Sequence, residues 1–357
     1  MNPFSGECPM VKKKSPTIVD VAREAGVSIG TVSNVLNRRS DVPMAEDTVL
    51  KVNEAIRLLG YRRNAIAANL SRQKTYELGM LLPRYDEYFV KFAGEVEQIV
   101  LEKGYHLSVF SAPEKPELGR RHLELLLQRR VDGLFCHGLA MPPDTAGAII
   151  REGTPLVLFN AWGWPDDIDA GRVNLDVATA CAEAVLLLHA RGCRSIYYLG
   201  NRMAAATDEQ RMIGFAEGVR WLEQMGEDER AETGVLDVGQ KGCLQELRRL
   251  IAEQGPLGLL VFDDMNAFAY MSKLLEAGCR IPEQVKIVGI NNTSMSRLSY
   301  PSMTSIATPY KLQAEAAVRM MMARLGAAGD ESAEGESAAS RIVQIPLTII
   351  ERKSTER

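Results

Sequence analysis

The feature that most constrains the fold is an alternation of strand-length apolar runs with helix-length amphipathic segments, from about residue 77 to residue 350. Strands that alternate with helices in this way predict parallel sheets covered by helices on both faces. Ligands of such sheets bind beyond the C-terminal ends of the strands. Seven runs have the length of buried strands: 78–82, 106–110, 133–137, 156–160, 195–200, 258–262 and 286–290.

The loops after these strands are therefore the expected positions of a binding site. They comprise 83–89, Ser111, His137-Gly138, 160–164, 201–206, Asp263-Asp264 and Asn291-Asn292. The four histidines (His106, His122, His137 and His189) have no metal-ligand spacing, so we expect surface or core positions for them. Phosphate-loop, GxGxxG and nucleophile-elbow motifs are also absent from the sequence. We therefore expect no enzyme, no catalytic residues, no metal site and no cofactor.

The charge distribution separates the N-terminal quarter from the rest of the chain. Residues 1–75 carry 12 basic and 7 acidic side chains, although the whole chain has a net charge of −4. A basic segment on an acidic body is typical of a module that binds a polyanion, but a solvated basic terminus is an equal alternative on charge alone.

Residues 17–37 carry the pattern of two short helices joined by a tight turn. Thr17 is suited to cap the first helix, Gly26 to end it and Ser28 to cap the second. In the second helix Val32, Val35 and Leu36 are spaced to face inward. The residues spaced to face outward are Ile29, Gly30, Thr31, Ser33, Asn34 and Asn37. This pattern predicts a DNA-binding helix-turn-helix, with an ordinary helical hairpin as the alternative.

A third helix is expected over 47–59, followed by a short alanine-rich segment flanked by arginines. That segment is too short to be stable alone, because helix nucleation is costly. We expect it to be either a hinge helix that folds on DNA or a plain linker.

Four motifs identify the family that this chain resembles. They are TIVDVAREAGVS-x-x-TVS-x-VLN (17–37), Arg211-x-x-Gly214-Phe215, FDDMNAFAYMSKLLEAGCRIPEQVKIVGINN (262–292) and PSMTSIATP (301–309). Together they resemble the lactose-repressor (LacI) family of bacterial transcription regulators over essentially the whole chain. The resemblance implies an all-α helix-turn-helix domain followed by an α/β two-lobed, periplasmic-binding-protein-like domain with parallel sheets.

The resemblance also implies how DNA is bound. A homodimer would place two recognition helices in major grooves of a pseudo-palindromic operator, and paired hinge helices would wedge Leu70 into the minor groove. The implied DNA-binding residues are Thr17, Ser28, Ile29, Gly30, Thr31, Ser33, Asn34, Asn37, Tyr61, Asn64, Ala68 and Leu70. Asn34 and Ala68 stand where relatives commonly have arginine. Since Asn pairs with adenine and Arg with guanine, we expect an adenine opposite Asn34.

For the body, the resemblance implies an effector between two lobes. The expected division is an N-lobe of 77–161 and 292–322 and a C-lobe of 162–291 and 323–351. Arginine, amide and carboxylate side chains favour a small polar effector such as a sugar or sugar acid. The expected effector-binding residues are Arg84, Asp86, Phe89, Ser111, Asn160, Trp162, Arg211, Asp263, Asp264 and Asn291.

The resulting prediction is a DNA-binding regulator, most simply a repressor, with domains at 15–62, 63–76 (hinge) and 77–351. Residues 1–14 are expected to be a disordered extension, 326–340 a flexible insertion and 352–357 a tail. The cysteines form no CxxC pair, and the chain shows no secretory signal or membrane-length apolar run, so we expect a cytoplasmic protein. The alternative is a solute-binding receptor of a transport system, which would share the two-lobed body.

Overall fold

The computed structural model describes residues 16–36, 44–61, 74–112, 131–226, 231–326 and 342–356, together with residues 121, 123, 124, 127 and 128. The expected extension over 1–14, nearly all of the expected hinge and the expected insertion lie outside these residues. The chain divides into two units, a head (1–75) and a body (76–357).

The head consists of three helices, α1 (Ile18–Ala25), α2 (Ile29–Leu36) and α3 (Glu46–Leu59). Thr17 forms the expected cap of α1 as one half of a capping box with Asp20. The helix then ends at Gly26, whose φ of 66° is the left-handed conformation that favours glycine. Local caps thus set both ends of the first helix.

The apolar faces of the three helices meet in a small core. Val21, Val32 and Val52 are fully buried there, and Leu36 and Tyr61 pack against its edge. One residue from each helix therefore closes the centre of the head, as the spacing of apolar residues in the sequence predicts.

The body contains two six-stranded sheets, one in each lobe. The N-lobe sheet contains β1 (Glu77–Leu82), β2 (His106–Ser111), β3 (Gly133–His137), β4 (Leu156–Phe159), β5 (Gly171–Asp176) and β11 (Ile342–Pro346). The C-lobe sheet contains β6 (Ser195–Gly200), β7 (Glu232–Asp237), β8 (Leu257–Val261), β9 (Val285–Asn291), β10 (Thr304–Ala307) and β12 (Thr348–Ile350). All seven predicted strands are present within one residue of their expected positions.

Helices separate most of the strands, as the sequence predicts. They are α4 (Glu87–Glu102), α5 (Pro143–Arg151), α6 (Val177–Ala190), α7 (Ala205–Met225), α8 (Cys243–Gln254), α9 (Asp264–Glu276), α10 (Ser294–Leu298) and α11 (Tyr310–Arg324). The strand order is β11-β5-β4-β3-β1-β2 in one sheet and β12-β10-β9-β8-β6-β7 in the other. Pairing is parallel except between β10 and β12, which are antiparallel.

The expected lobe boundaries are wrong at three places. Residues 171–176 form β5, which pairs with β4 of the N-lobe, so the first crossover follows Asp176 and not residue 161. Residues 304–307 form β10, which pairs with β9 of the C-lobe. The run 341–350 reads as one strand, but it contributes β11 to the N-lobe and β12 to the C-lobe. The first two errors arise because 171–176 and 304–307 were not predicted to be strands. The third arises because hydrophobic patterning indicates a strand but not the sheet that it joins.

The expected tail is also wrong in part, because residues 353–355 form a short 3-10 helix packed into the C-lobe. Ser354 is fully buried, and its hydroxyl donates to the carbonyl oxygen of Ile287 (2.6 Å) and accepts from the amide of Thr304 (2.8 Å). These bonds tie the end of the chain to β9 and β10.

Candidate functional site

The head presents α2 as a candidate DNA-reading surface. The Ser28 hydroxyl caps this helix by accepting from the Thr31 amide at 3.0 Å, as predicted. Val32 and Val35 are buried, whereas Ile29 is 48% exposed and Asn34 is half-buried. The inner face of α2 is therefore used by the core, and the opposite face is available for recognition.

The remaining DNA-binding predictions divide into two groups. Gly30 is exposed, and Thr31 and Ser33 are half-buried on α2. Asn37, Asn64, Ala68 and Leu70 lie outside the described residues.

The body contains a cavity between its two lobes, at the C-terminal ends of the strands. Nine of the ten residues predicted to bind the effector line it: Arg84, Asp86, Phe89, Asn160, Trp162, Arg211, Asp263, Asp264 and Asn291. Ser111 does not, because β2 is the edge strand of the N-lobe sheet. The cavity also reaches Val177, Thr308 and Leu347, one residue from each of the three crossovers.

Arg211 projects from α7 and is held before any ligand arrives. Its Nε donates to the carbonyl oxygen of Phe262 (2.7 Å), one Nη donates to that of Thr207 (2.9 Å), and the guanidinium lies over the Phe262 ring, 4.4 Å from its centroid. Arg211 is 5% exposed, and no ion pair among the described residues includes it. A buried guanidinium without a counterion is a strong donor for a polar ligand.

The glycine of the Arg211-x-x-Gly214-Phe215 motif has a packing role. A Cβ on Gly214 would lie 2.1 Å from the backbone oxygen of Ala178, so only glycine allows α7 to approach α6 this closely. Phe215 is buried near Tyr198. The motif therefore positions α7, and with it Arg211, against the C-lobe.

Asp264 lines the cavity, but its carboxylate bonds within the protein. It accepts from the Thr293 amide (2.6 Å), the Thr293 hydroxyl (3.0 Å) and the Ser305 hydroxyl (2.6 Å). Burial raises the pKa of Asp264 to about 6, against the hydrogen bonds from Ser305 and Thr293, which lower it. A Cβ on Gly289 would lie 2.3 Å from this carboxylate. Asp264 thus joins the start of α9 to the loop after β9 and to β10.

Asp263 and Asn291 retain more capacity than Asp264 to form hydrogen bonds with a ligand. Oδ1 of Asp263 accepts both the backbone amide and the side-chain amide of Asn266, each at 2.8 Å, and no described group donates to Oδ2. Asn291 has a φ of 101°, and its backbone oxygen accepts from the Tyr310 hydroxyl (3.1 Å).

Asn160 on the N-lobe wall belongs to a buried network of neutral groups. Its amide donates to the Tyr88 hydroxyl (2.6 Å), and its Oδ1 accepts from the Leu175 amide (3.2 Å) and the Gln313 side chain (3.1 Å). With a φ of 51°, Asn160 occupies the left-handed region that Asn tolerates better than most residues. The hydrogen bonds of its amide therefore go mainly to the N-lobe wall itself and not to a ligand.

Four further predicted residues, Arg84, Asp86, Phe89 and Trp162, line the N-lobe part of the cavity. Asp86 caps α4 by accepting from the Phe89 amide (3.1 Å), and its other oxygen accepts from Arg84 Nε (2.7 Å). Arg84 lies 5.6 Å from the Phe89 ring centroid. The indole of Trp162 donates to the carbonyl oxygen of Leu175, which fixes one edge of the ring.

A further contact between the lobes involves Glu87 and Ser294. Oε1 of Glu87, at the start of α4, accepts from the amide (2.8 Å) and hydroxyl (2.9 Å) of Ser294, at the start of α10. Lys91 pairs with the same oxygen at 2.6 Å. Burial raises the pKa of Glu87, but the hydrogen bonds from Lys91 and Ser294 outweigh it and hold the pKa below its ordinary value.

Sequence reasoning missed His137 and Thr308, which also line the cavity. His137 is 3% exposed at the end of β3, and Thr308 is 6% exposed just after β10. The position of His137 at the end of a predicted strand was the available signal, and His137-Gly138 was among the expected binding positions, whereas β10 was not recognised as a strand at all. Among the described residues, no cluster of His, Cys, Asp and Glu could hold a metal ion. No helix of the described chain is long and apolar enough to cross a membrane.

Comparisons with known proteins match both units. The model for bacterial regulatory proteins of the lacI family matches residues 17–64, and the periplasmic binding protein-like domain matches residues 185–355. The chain is 28% identical over 297 residues to catabolite control protein A of Staphylococcus aureus, covering 82% of this chain and 87% of that protein.

Two solved structures support the fold. A lac repressor dimer bound to operator and the anti-inducer ONPF superposes with a TM-score of 0.77 at 21% identity, covering 96% of this chain and 99% of that one. A complex of the transcriptional regulator CelR with cellobiose gives a TM-score of 0.63 at 20% identity, covering 95% and 99%. The predicted fold class, a helix-turn-helix domain followed by a two-lobed α/β domain, is confirmed. The proteins compared above are, by name, a catabolite control protein, a repressor and a transcriptional regulator. This chain is a member of the LacI family of DNA-binding transcriptional regulators.

Proposed function

We propose that this regulator is a cytoplasmic repressor whose affinity for a pseudo-palindromic operator is set by a sugar or sugar acid in the interlobe cavity. The observation that carries the proposal is the buried guanidinium of Arg211, which has no counterion among the described residues. It lies in a cavity whose lining includes a residue from each of the three crossovers between the lobes. A ligand held there contacts the segments about which the lobes move. The CelR complex with cellobiose supports a sugar as the effector class.

The Glu87–Ser294 contact supports a two-state mechanism. It joins α4 of the N-lobe to α10 of the C-lobe, so a form in which the lobes are apart would lack this bond. A ligand that prefers one form shifts the lobes toward it, and in a homodimer this changes the spacing of the two hinge segments. Coupling is reciprocal: an inducer that weakens operator binding by a given factor is itself bound more weakly on the operator by that factor.

The first experiment tests DNA binding. Duplexes selected from a random pool by the full-length protein are measured by fluorescence anisotropy at two salt concentrations. We expect specific sites to bind about a thousandfold or more tightly than random duplex, and affinity to fall as salt rises, because phosphate contacts release counterions. Failure to enrich any duplex would contradict the proposal and favour a solute receptor.

The role of Asn34 is tested in the same selection. We expect wild type to select adenine at one position of each half-site and the Asn34→Arg variant to select guanine there. Guanine in both selections would reject the assignment of Asn34 to that base.

The second experiment tests the cavity. Isothermal titration against a panel of sugars and sugar acids identifies a ligand, and we expect the Arg211→Ala variant to bind it about tenfold or more weakly, because charged hydrogen bonds are lost. The same ligand should change operator affinity in the anisotropy assay. A ligand that binds both proteins equally would remove Arg211 from the site.

A further inference from the structure

His137 is held rigidly in the N-lobe wall of the cavity. Its ring lies edge-to-face against Phe89 and Phe159, with centroid distances of 5.1 and 5.2 Å. The residue is 3% exposed, yet it lines the cavity. Packing on two sides leaves the imidazole one orientation, so the polar edge that it turns to a ligand is fixed.

The hydrogen bonding of His137 determines its tautomer. The backbone amide of Leu139 donates to Nδ1 at 3.1 Å, so Nδ1 carries a lone pair and the single ring proton resides on Nε2. Burial, with a further contribution from Arg84, lowers the pKa of His137 to about 3, which keeps the ring neutral at physiological pH. No described residue accepts from Nε2. His137 is therefore an obligatory neutral donor.

Thr308 offers a second polar group, at one of the crossovers between the lobes. It follows β10 directly, at the crossover to α11, and is 6% exposed. Its buried Oγ1 has no hydrogen-bond partner among the described residues. A buried hydroxyl without a partner is unfavourable, and the cavity is the direction from which a partner can come.

The charges around the cavity favour an uncharged ligand. Its lining includes four carboxylates (Asp86, Glu87, Asp263 and Asp264) but only two guanidinium groups, Arg84 and Arg211. Arg84 is already paired with Asp86. An anionic ligand near Arg211 would meet Asp263 on the same wall, whereas a hydroxyl group can accept from Arg211 or His137 and donate to Asp263.

We propose that His137 and Thr308 are specificity-determining residues that hydrogen-bond hydroxyl oxygens of a neutral sugar, and that the cavity discriminates against the corresponding acid sugars. This inference rests on the proposed function, which does not distinguish a sugar from a sugar acid as the effector. His137 donates through Nε2–H from the N-lobe wall. Thr308 bonds from the crossover, so it senses the ligand at the point where the lobes are joined.

The test uses the full-length protein and a panel of pentoses, hexoses and their disaccharides, each hexose paired with its uronic acid and its 6-phosphate. Binding is measured by isothermal titration. We expect one or more neutral sugars to bind and the charged counterparts to bind at least tenfold more weakly.

Matched variants separate the ligand contact from the structural role of each residue. His137→Asn keeps an acceptor at the position of Nδ1 for the Leu139 amide but loses the Nε2–H donor, whereas His137→Gln places an amide donor where Nε2–H lies. Thr308→Val removes the hydroxyl at constant shape, and Thr308→Ser keeps it. We expect His137→Asn and Thr308→Val to weaken binding about tenfold, and His137→Gln and Thr308→Ser to stay within about threefold of wild type. Melting temperatures without ligand verify that all four variants fold.

The outcomes distinguish this inference from the function on which it rests. A panel member that binds equally to wild type, His137→Asn and Thr308→Val, or an acid that binds more tightly than its neutral counterpart, overturns the inference and leaves a sugar-controlled regulator intact. If no member binds, both the inference and the sugar effector fall, while selection of a DNA site would still support the regulator.

Discussion

The two lobes have the same strand order but different chemistry at equivalent positions. β4 of the N-lobe and β9 of the C-lobe occupy the same place in their sheets. An asparagine with positive φ stands at the end of each, Asn160 (51°) directly after β4 and Asn291 (101°) as the last residue of β9. β3 and β8 also correspond, and they lead to His137, a neutral donor, and to Asp263, a charged acceptor. A repeated fold thus supplies two walls, and the side chains at the strand ends make those walls complementary.

The buried networks behind the two walls differ in the same sense. The N-lobe network of Tyr88, Asn160 and Gln313 consists of neutral groups, whereas the C-lobe network of Thr293 and Ser305 is centred on the Asp264 carboxylate. Neutral amides and hydroxyls do not titrate in the physiological range, but a buried carboxylate does. Of the two networks, only the one in the C-lobe should therefore make the stability of the protein depend on pH.

The largest expected effect comes from removing the centre of the C-lobe network. Asp264→Ala leaves three buried donors without their acceptor, and we expect a loss of about 4 kcal/mol in the free energy of unfolding. Asp264→Asn keeps an acceptor for Thr293 and should cost about 1 kcal/mol. Urea denaturation at pH 7 measures both. Equal costs for the two variants would mean that the hydrogen bonds are not what makes Asp264 important.

The second expected effect is a pH dependence specific to the C-lobe. The pKa of Asp264 is about 6 in the folded protein and 3.8 as its ordinary value, so the folded state binds this proton more tightly. Stability should therefore fall as pH rises from about 4 to about 6, by about 3 kcal/mol relative to Asp264→Asn, which lacks the titrating group. Denaturation of both proteins across this range gives the difference.

The N-lobe variant Asn160→Ala is the matched control for that measurement. It should be less stable than wild type at every pH but keep the pH slope of wild type, because it retains Asp264. A slope lost in Asn160→Ala would place the titrating group in the N-lobe network and break the comparison.

The smallest expected effect concerns the contact between Glu87 of the N-lobe and Ser294 of the C-lobe. Glu87→Ala removes both bonds to Ser294 and should weaken binding of the tightest sugar of the panel about fivefold, because the closed form loses about 1 kcal/mol. Lys91→Met removes only a half-exposed ion pair and should stay within about twofold. Titration calorimetry measures both. Unchanged affinity in Glu87→Ala would show that the contact does not favour the ligand-binding form.

The head was predictable from the sequence because its signals are local. Thr17, Gly26 and Ser28 lie at helix ends where capping and left-handed backbone require such residues, and the structure places all three there. The ends of seven strands were also predictable, and they supplied eight of the residues that line the cavity, whereas Arg211 was found through the family motif on α7. The roles of Asp264 and Asn160 were less so, since their hydrogen bonds go to partners 29 and 41, or 15 and 153, residues away.

The sequence by itself determined the helices of the head, seven of the strands of the body and which family the chain belongs to, because caps, periodicity and motifs act over a few neighbouring residues. Only the tertiary structure decided that 342–346 and 348–350 join different sheets, that β5 belongs to the N-lobe and that His137 and Thr308 face one cavity. The physical reason is that sheet membership follows from backbone pairing between distant strands, and a side chain's role depends on which donors and acceptors that pairing leaves unpartnered.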